Sequence, residues 1–202
     1  MTRLDFADVP DIAARLQSGQ IGVLPTDTVY GLACSARDPD ACARLYDIKG
    51  RHDKPGTIIA ASLSQLTDLG LKRAYLKADE QFWPNSISVV VPCGQALSYL
   101  HQGVQSLAVR VPKPEALRLL LEQTGPLLTT SANRPQEPTA TTIDAAMEIF
   151  GEEVDFYVDG GERRDHKPST VIRIVDDAIE VLREGAVILD EAGRIIKQET
   201  ER

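Results

Sequence analysis

The sequence predicts an α/β protein, a single domain in which a twisted mixed sheet is flanked by helices. Three observations carry that expectation. Short β-branched or apolar runs alternate with segments of helical period along the whole chain. Proline and glycine stand where helices begin and end. The length of 202 residues, with 43% hydrophobic and 26% charged, suits one domain that can bury its core without staples.

In chain order, Asp8-Val9-Pro10 starts a helix that Gly19 closes, and Ile21-Gly22-Val23-Leu24 is a short apolar strand. Asp38-Pro39 opens a second helix through Ala41, Leu45 and Ile48, ending at Gly50. Residues 57–61 read as a buried strand, and Ser62 caps a short helix after it. The runs 86–91 and 106–111 are strands, the second halted by Pro112. A helix over 114–123 carries Leu117, Leu119, Leu120 and Leu121. A strand over 126–130 follows, then a helix over 142–150 closed by Gly151. Residues 154–158, 170–175 and 179–183 are late, short strands, which makes the sheet mixed rather than purely parallel. Helices are expected over both faces of the sheet. The domain is expected over residues 8–187, with 188–202 a polar C-terminal tail. The Gly/Pro/charge-rich stretch 159–168 is the expected mobile lid.

Composition excludes some classes and disfavours others. No apolar run approaches the roughly 20 residues that span a bilayer. Met1-Thr2-Arg3-Leu4-Asp5 has no apolar stretch behind its arginine, so no secretory signal is expected and a cytoplasmic location is. Cys34, Cys42 and Cys93 form no close pair of zinc-ligand spacing and read as reduced core thiols. A net charge of −8 disfavours tight binding of duplex nucleic acid. Of the histidines, His101 reads as surface, and His52 and His166 as neighbours of a cleft.

Four polar clusters sit at strand or helix ends, where open α/β sheets hold ligands. Pro25-Thr26-Asp27-Thr28-Val29-Tyr30-Gly31-Leu32 is either a self-satisfied turn or a ligand wall. Lys49-Gly50-Arg51 either compensates a helix dipole or faces a polyphosphate. Arg110, on the otherwise apolar strand 106–111, must be ion-paired or reach a ligand. Thr129-Thr130-Ser131-Ala132-Asn133 is either a capped turn or a cradle for phosphate oxygens.

Taken in order with Pro168-Ser169-Thr170-Val171 and Leu182-Arg183-Glu184-Gly185, these blocks resemble the YrdC family of threonylcarbamoyl-AMP synthases over about residues 8–187. The resemblance implies a mixed α/β sheet around a large cleft. It also implies synthesis of L-threonylcarbamoyl-AMP from L-threonine, bicarbonate (or CO2) and ATP with release of pyrophosphate. Mg²⁺ is implied on the phosphates, and a separate transferase complex takes the product to tRNA. By the same resemblance Thr28, Arg110, Ser131 and Ser169 lie on the threonine side, with Tyr30 a pocket wall. Lys49, Arg51, Ser106, Asn133, Thr141 and Arg183 lie on the ATP side, Lys49 and Arg51 being the catalytic cations. No protein-held metal is implied. Pro84-Asn85-Ser86-Ile87-Ser88 departs from the family's Pro-Gly-Pro-x-Thr, and His52 replaces the proline that usually follows Arg51. Two alternatives remain open: a YciO-like paralogue with a changed substrate, and a nucleotide- or double-stranded-RNA-binding module.

Overall fold

A computed structural model describes residues 1–50, 54–176, 178–190 and 192–198. Ten strands form one mixed sheet: β1 (Thr2–Asp5), β2 (Gly22–Pro25), β3 (Tyr30–Ser35), β4 (Thr57–Ile59), β5 (Ile87–Pro92), β6 (Ser106–Arg110), β7 (Leu127–Ser131), β8 (Phe156–Asp159), β9 (Thr170–Val175) and β10 (Ala178–Arg183). Their order across the sheet is β1-β8-β2-β3-β7-β4-β6-β5-β9-β10. Two further strands, β11 (Val187–Leu189) and β12 (Ile195–Gln198), pair as a separate antiparallel hairpin.

The helices are α1 (Val9–Gln17), α2 (Pro39–Lys49), α3 (Leu63–Asp68), α4 (Arg73–Ala78), α5 (Ser98–His101), α6 (Glu115–Thr124) and α7 (Ile143–Phe150). Their ends follow local chemistry. Asp38 accepts hydrogen bonds from the Asp40 and Ala41 amides at the start of α2, and Pro39 supplies the fixed φ of the first turn. Gly50 ends α2 at φ 57°, a left-handed conformation that glycine adopts without steric cost. Ser62 and Thr142 cap α3 and α7 through their hydroxyls.

The two faces of the sheet are covered unequally. One face packs Leu32, Cys34, Ile58, Leu128, Val109 and Ile172 against α2, α5 and α7. The other packs Leu24, Ala33, Ile59, Leu127 and Phe156 under α1 and α6 only. The expectation of cover on both faces therefore fails at the middle of the second face. There, paired positions carry small or hydroxyl side chains: Gly31 opposite Ser131, and Thr129, Thr57 and Ala108 in one row across β7, β4 and β6. Cross-strand partners share a face, so this row makes a floor with room above it.

Several expectations need correction. Residues 30–35 form a central strand, where only a polar strand exit was expected; Gly31, Ala33 and Ser35 are weak strand formers, and burial on both faces overrides their propensity. β1 was missed as well, and it pairs with β8 in parallel. The 188–202 segment is not simply a polar tail, since its described part contributes to the β11–β12 hairpin. His101 is buried, not on the surface: Nδ1 accepts from the Gly103 and Gln105 amides and so closes the turn after α5. Cys34 and Cys42 lie in the core with sulfurs 3.9 Å apart, and Cys93 is half-buried against it. Hydrogen bonding with Cys42 and burial raise the Cys34 thiol well above its ordinary pKa, which keeps it protonated.

Candidate active site

The uncovered stretch of the sheet is the floor of a cleft of about 270 Å³, lined by residues from the β2–β3 turn and from β4, β6, β7, β9 and β10. Gly56 borders it and must be glycine for space: a Cβ there would stand 2.7 Å from the Thr129 carbonyl oxygen. Of the expected site residues, the cleft brings together Thr28, Arg110, Ser131, Ser169 and Arg183. Ser106 shares the face of Ala108 and Arg110 by strand alternation. Arg51 and His52 lie outside the described residues.

Lys49, the last residue of α2, is buried and donates to the Ser131 carbonyl (2.7 Å), the Ser131 hydroxyl (3.4 Å) and Asn133 Oδ1 (2.7 Å). Asn133 in turn donates to the carbonyls of Arg134 and Glu137, and Ser131 Oγ donates to Asn133 Oδ1 at 2.6 Å. Lys49 thus organises the Ser131-Ala132-Asn133 turn, whose Ser131 lines the cleft. Thr141 sits beside this turn and accepts from the Arg163 amide through its carbonyl.

Arg110 resolves the alternatives left by its sequence position. Its side chain is 4% exposed and forms a buried ion pair, Nη2 to Asp27 Oδ1 at 2.8 Å. Nη1 donates to Ser88 Oγ at 3.1 Å. These bonds use two of the five N–H donors that a guanidinium carries. The other Asp27 oxygen accepts from Ser86 at 2.9 Å. The network continues from Ser88 Oγ to Ser169 Oγ at 3.0 Å, and Arg183 reaches both the Ser169 carbonyl and its hydroxyl. Asp27, Ser86 and Ser88 were not among the expected site residues. The signal available for Asp27 was its place in the Pro-Thr-Asp-Thr block. Ser86 and Ser88 lie in the segment that departs from the family pattern.

Tyr30 does not wall this cleft. It is fully buried on the opposite face of β3 from Gly31, and its hydroxyl accepts from the Gly160 amide and donates to the Gly161 carbonyl, each at 2.9 Å. Burial raises its phenol pKa, so the donor proton is retained at neutral pH. Tyr30 therefore ties down the start of the 160–168 loop. That loop borders a second cavity of about 370 Å³ with Arg163 and His166 on its wall, while the Pro168–Ser169 end borders the main cleft. Among the described residues no group of three His, Cys, Asp or Glu side chains is placed to hold a metal ion.

The class defined by this fold and cleft is an α/β domain with a hydroxyl-lined, arginine-bearing cleft at the open middle of a mixed sheet. The chain belongs to the Sua5/YciO/YrdC family, described as "Telomere recombination", whose profile matches residues 14–185. It is 33% identical over 195 residues to the threonylcarbamoyl-AMP synthase of Bacillus subtilis, covering 93% of this chain and 56% of that protein. Sua5 of Pyrococcus abyssi complexed with L-threonine has a TM-score of 0.82 at 30% identity, covering 93% of this chain and 58% of that one. YciO of E. coli shares the fold, with a TM-score of 0.76 at 24% identity and cover of 91% and 93%. The chain spans just over half the length of the Bacillus subtilis relative.

Proposed function

We propose that this domain makes L-threonylcarbamoyl-AMP from L-threonine, bicarbonate or CO2, and ATP, releasing pyrophosphate, and so performs the first step of threonylcarbamoyladenosine formation in tRNA. The observation that carries the reading is the joining of Arg110 and Arg183 in one cleft through Ser88 and Ser169, in a family whose relatives include a Sua5 solved with L-threonine. The threonine amine captures CO2 as a carbamate, and a carbamate oxygen attacks the α-phosphate while pyrophosphate leaves. The protein supplies no nucleophile of its own. It holds two anions together and stabilises charge on the phosphate and leaving group.

In this reading Arg110, with N–H groups remaining beyond those given to Asp27 and Ser88, receives the amino-acid carboxylate beside Ser169, Ser131 and Thr28. Lys49 and Arg183 face the phosphates, the role that the family resemblance also gives Arg51, with Ser106, Asn133 and Thr141 on the nucleotide side. Mg²⁺ arrives on ATP as part of the substrate. The product passes in the cytoplasm to a separate transferase acting on tRNA. The test is pyrophosphate release by purified protein with ATP, Mg²⁺ and bicarbonate, with and without L-threonine. Threonine-dependent release supports the proposal. Release that peaks with another amino acid assigns a changed substrate, as in the YciO-like alternative. No release, with RNA binding that falls steeply as salt rises, assigns a binding module.

A further inference from the structure

The hydrogen bonds around Ser88 and Ser169 have a fixed direction. A hydroxyl offers one donor and two acceptor positions, whereas a guanidinium only donates. Arg110 Nη1 donates to Ser88 Oγ, so Ser88 is an acceptor there. Ser88 is fully buried, and the acceptor its proton finds among the described residues is Ser169 Oγ at 3.0 Å. Arg183 Nη2 also donates to Ser169 Oγ, at 3.1 Å. Both acceptor positions of Ser169 are then filled, one by Ser88 and one by Arg183. The remaining function of the Ser169 hydroxyl is donation, at a residue that lines the cleft.

We infer that Ser88 is a positioning residue that locks Ser169 as a hydrogen-bond donor toward the cleft, selecting a substrate that presents an oxygen acceptor there. This rests on the proposed reading of the cleft, in which that acceptor belongs to the carboxylate or carbamate of the amino-acid substrate. Ser88 need not touch the substrate. Passing the polarity of Arg110 through Ser88 keeps a ligand hydroxyl or amine from competing for the same atom, because Ser169 has no acceptor position left to offer. The role falls to a residue of the segment that departs from the family's pattern, and a threonine at 88 would place the same hydroxyl on a β-branched side chain.

The experiment uses the full chain and its variants Ser88→Ala, Ser88→Thr, Ser88→Cys, Ser169→Ala and the Ser88→Ala/Ser169→Ala pair. It reads both the threonine dependence of pyrophosphate release and L-threonine binding by calorimetry. Ser88→Ala is expected to raise the threonine KM and Kd about 10- to 100-fold, the range for losing a hydrogen bond to a charged group, with kcat changed only a few-fold. Ser88→Thr should restore KM, and the double variant should be no worse than Ser169→Ala, since the two act as one unit. Ser88→Cys, with a weak donor of similar size, should fall between Ser and Ala and stands in if Ser88→Ala does not fold. An unchanged KM in Ser88→Ala or Ser88→Cys, failure of Ser88→Thr to rescue, or additive losses in the double variant overturns the inference. Wild-type protein that binds threonine but releases no pyrophosphate overturns the proposed reaction and leaves the binding comparison to decide the role of Ser88. Wild-type protein that binds no threonine overturns both.

Discussion

Asp27 and Arg110 are joined at 2.8 Å across 83 positions of sequence, with side chains 0% and 4% exposed. A buried pair of this kind adds little net stability over an apolar pair, but removing one partner strands a charge in a low-dielectric interior. Asp27→Ala is expected to destabilise the protein by about 3–5 kcal/mol, and Asp27→Asn, which keeps one oxygen to accept from Arg110 and turns its NH2 toward Ser86 Oγ, by less. Urea denaturation of the two variants checks the order, and equal losses would show that the lost charge accounts for the whole effect and the retained amide oxygen for none of it.

Arg110→Ala separates the pair from the ligand. The threonine KM should rise sharply while ATP binding stays largely intact, because its proposed partner is the amino-acid carboxylate. Titrating each ligand against the variant distinguishes this from an ion pair with only a structural role, which would weaken both ligands alike.

Lys49→Met keeps most of the length of the side chain but removes the donors that hold Ser131 and Asn133. Pyrophosphate release is expected to fall about 100- to 1000-fold, the range for losing one preorganised donor in a water-poor site. Steady-state kinetics at saturating ATP provide the readout, and a loss confined to KM for ATP would limit Lys49 to ground-state binding.

Tyr30→Phe deletes both hydrogen bonds to the loop at Gly160 and Gly161 without changing the packed ring. Limited proteolysis within 160–168 should quicken while the global unfolding free energy falls by only about 1–3 kcal/mol. A protease pattern unchanged from the parent protein would mean that other contacts hold the loop.

Asp79 gives a pH signature. It is 4% exposed, and burial raises its carboxyl to about 6 from an unfolded value near 3.9. The folded state thus binds the proton more tightly, so its contribution is present below about pH 4 and is lost as pH rises through 6. Over that window this group lowers stability by roughly 2–3 kcal/mol. Asp79→Asn should remove this slope and leave the variant more stable than the parent at pH 7. Denaturation curves at pH 4.5 and 7 make the comparison, and parallel profiles would refute it.

The legible parts of the fold are those whose signals are local. The Asp38-Pro39 start and Gly50 end of α2, the Gly151 end of α7, and the β-branched runs of β5 and β9 all act over a few residues. β3 was not legible because Tyr30-Gly31-Leu32-Ala33-Cys34-Ser35 carries little strand propensity, and its place is set by pairing with β2 and β7. Of the residues that line the cleft, the polar blocks of the sequence contain Thr28, Arg110, Ser131, Ser169 and Arg183. The pocket-wall assignment of Tyr30 failed because alternation within an unrecognised strand turns its side chain to the covered face.

By itself the sequence determined a single α/β domain, the caps that begin and end its main helices, and the polar blocks that gather at the cleft, because each depends on neighbours in the chain or on the order of blocks along it. Only the tertiary structure decided which face of the sheet stays open, that Arg110 pairs with Asp27, and that Ser88 meets Ser169 across 81 positions. A buried polar group must be satisfied, but strand order and ladder register choose its partner, and both are products of long-range packing.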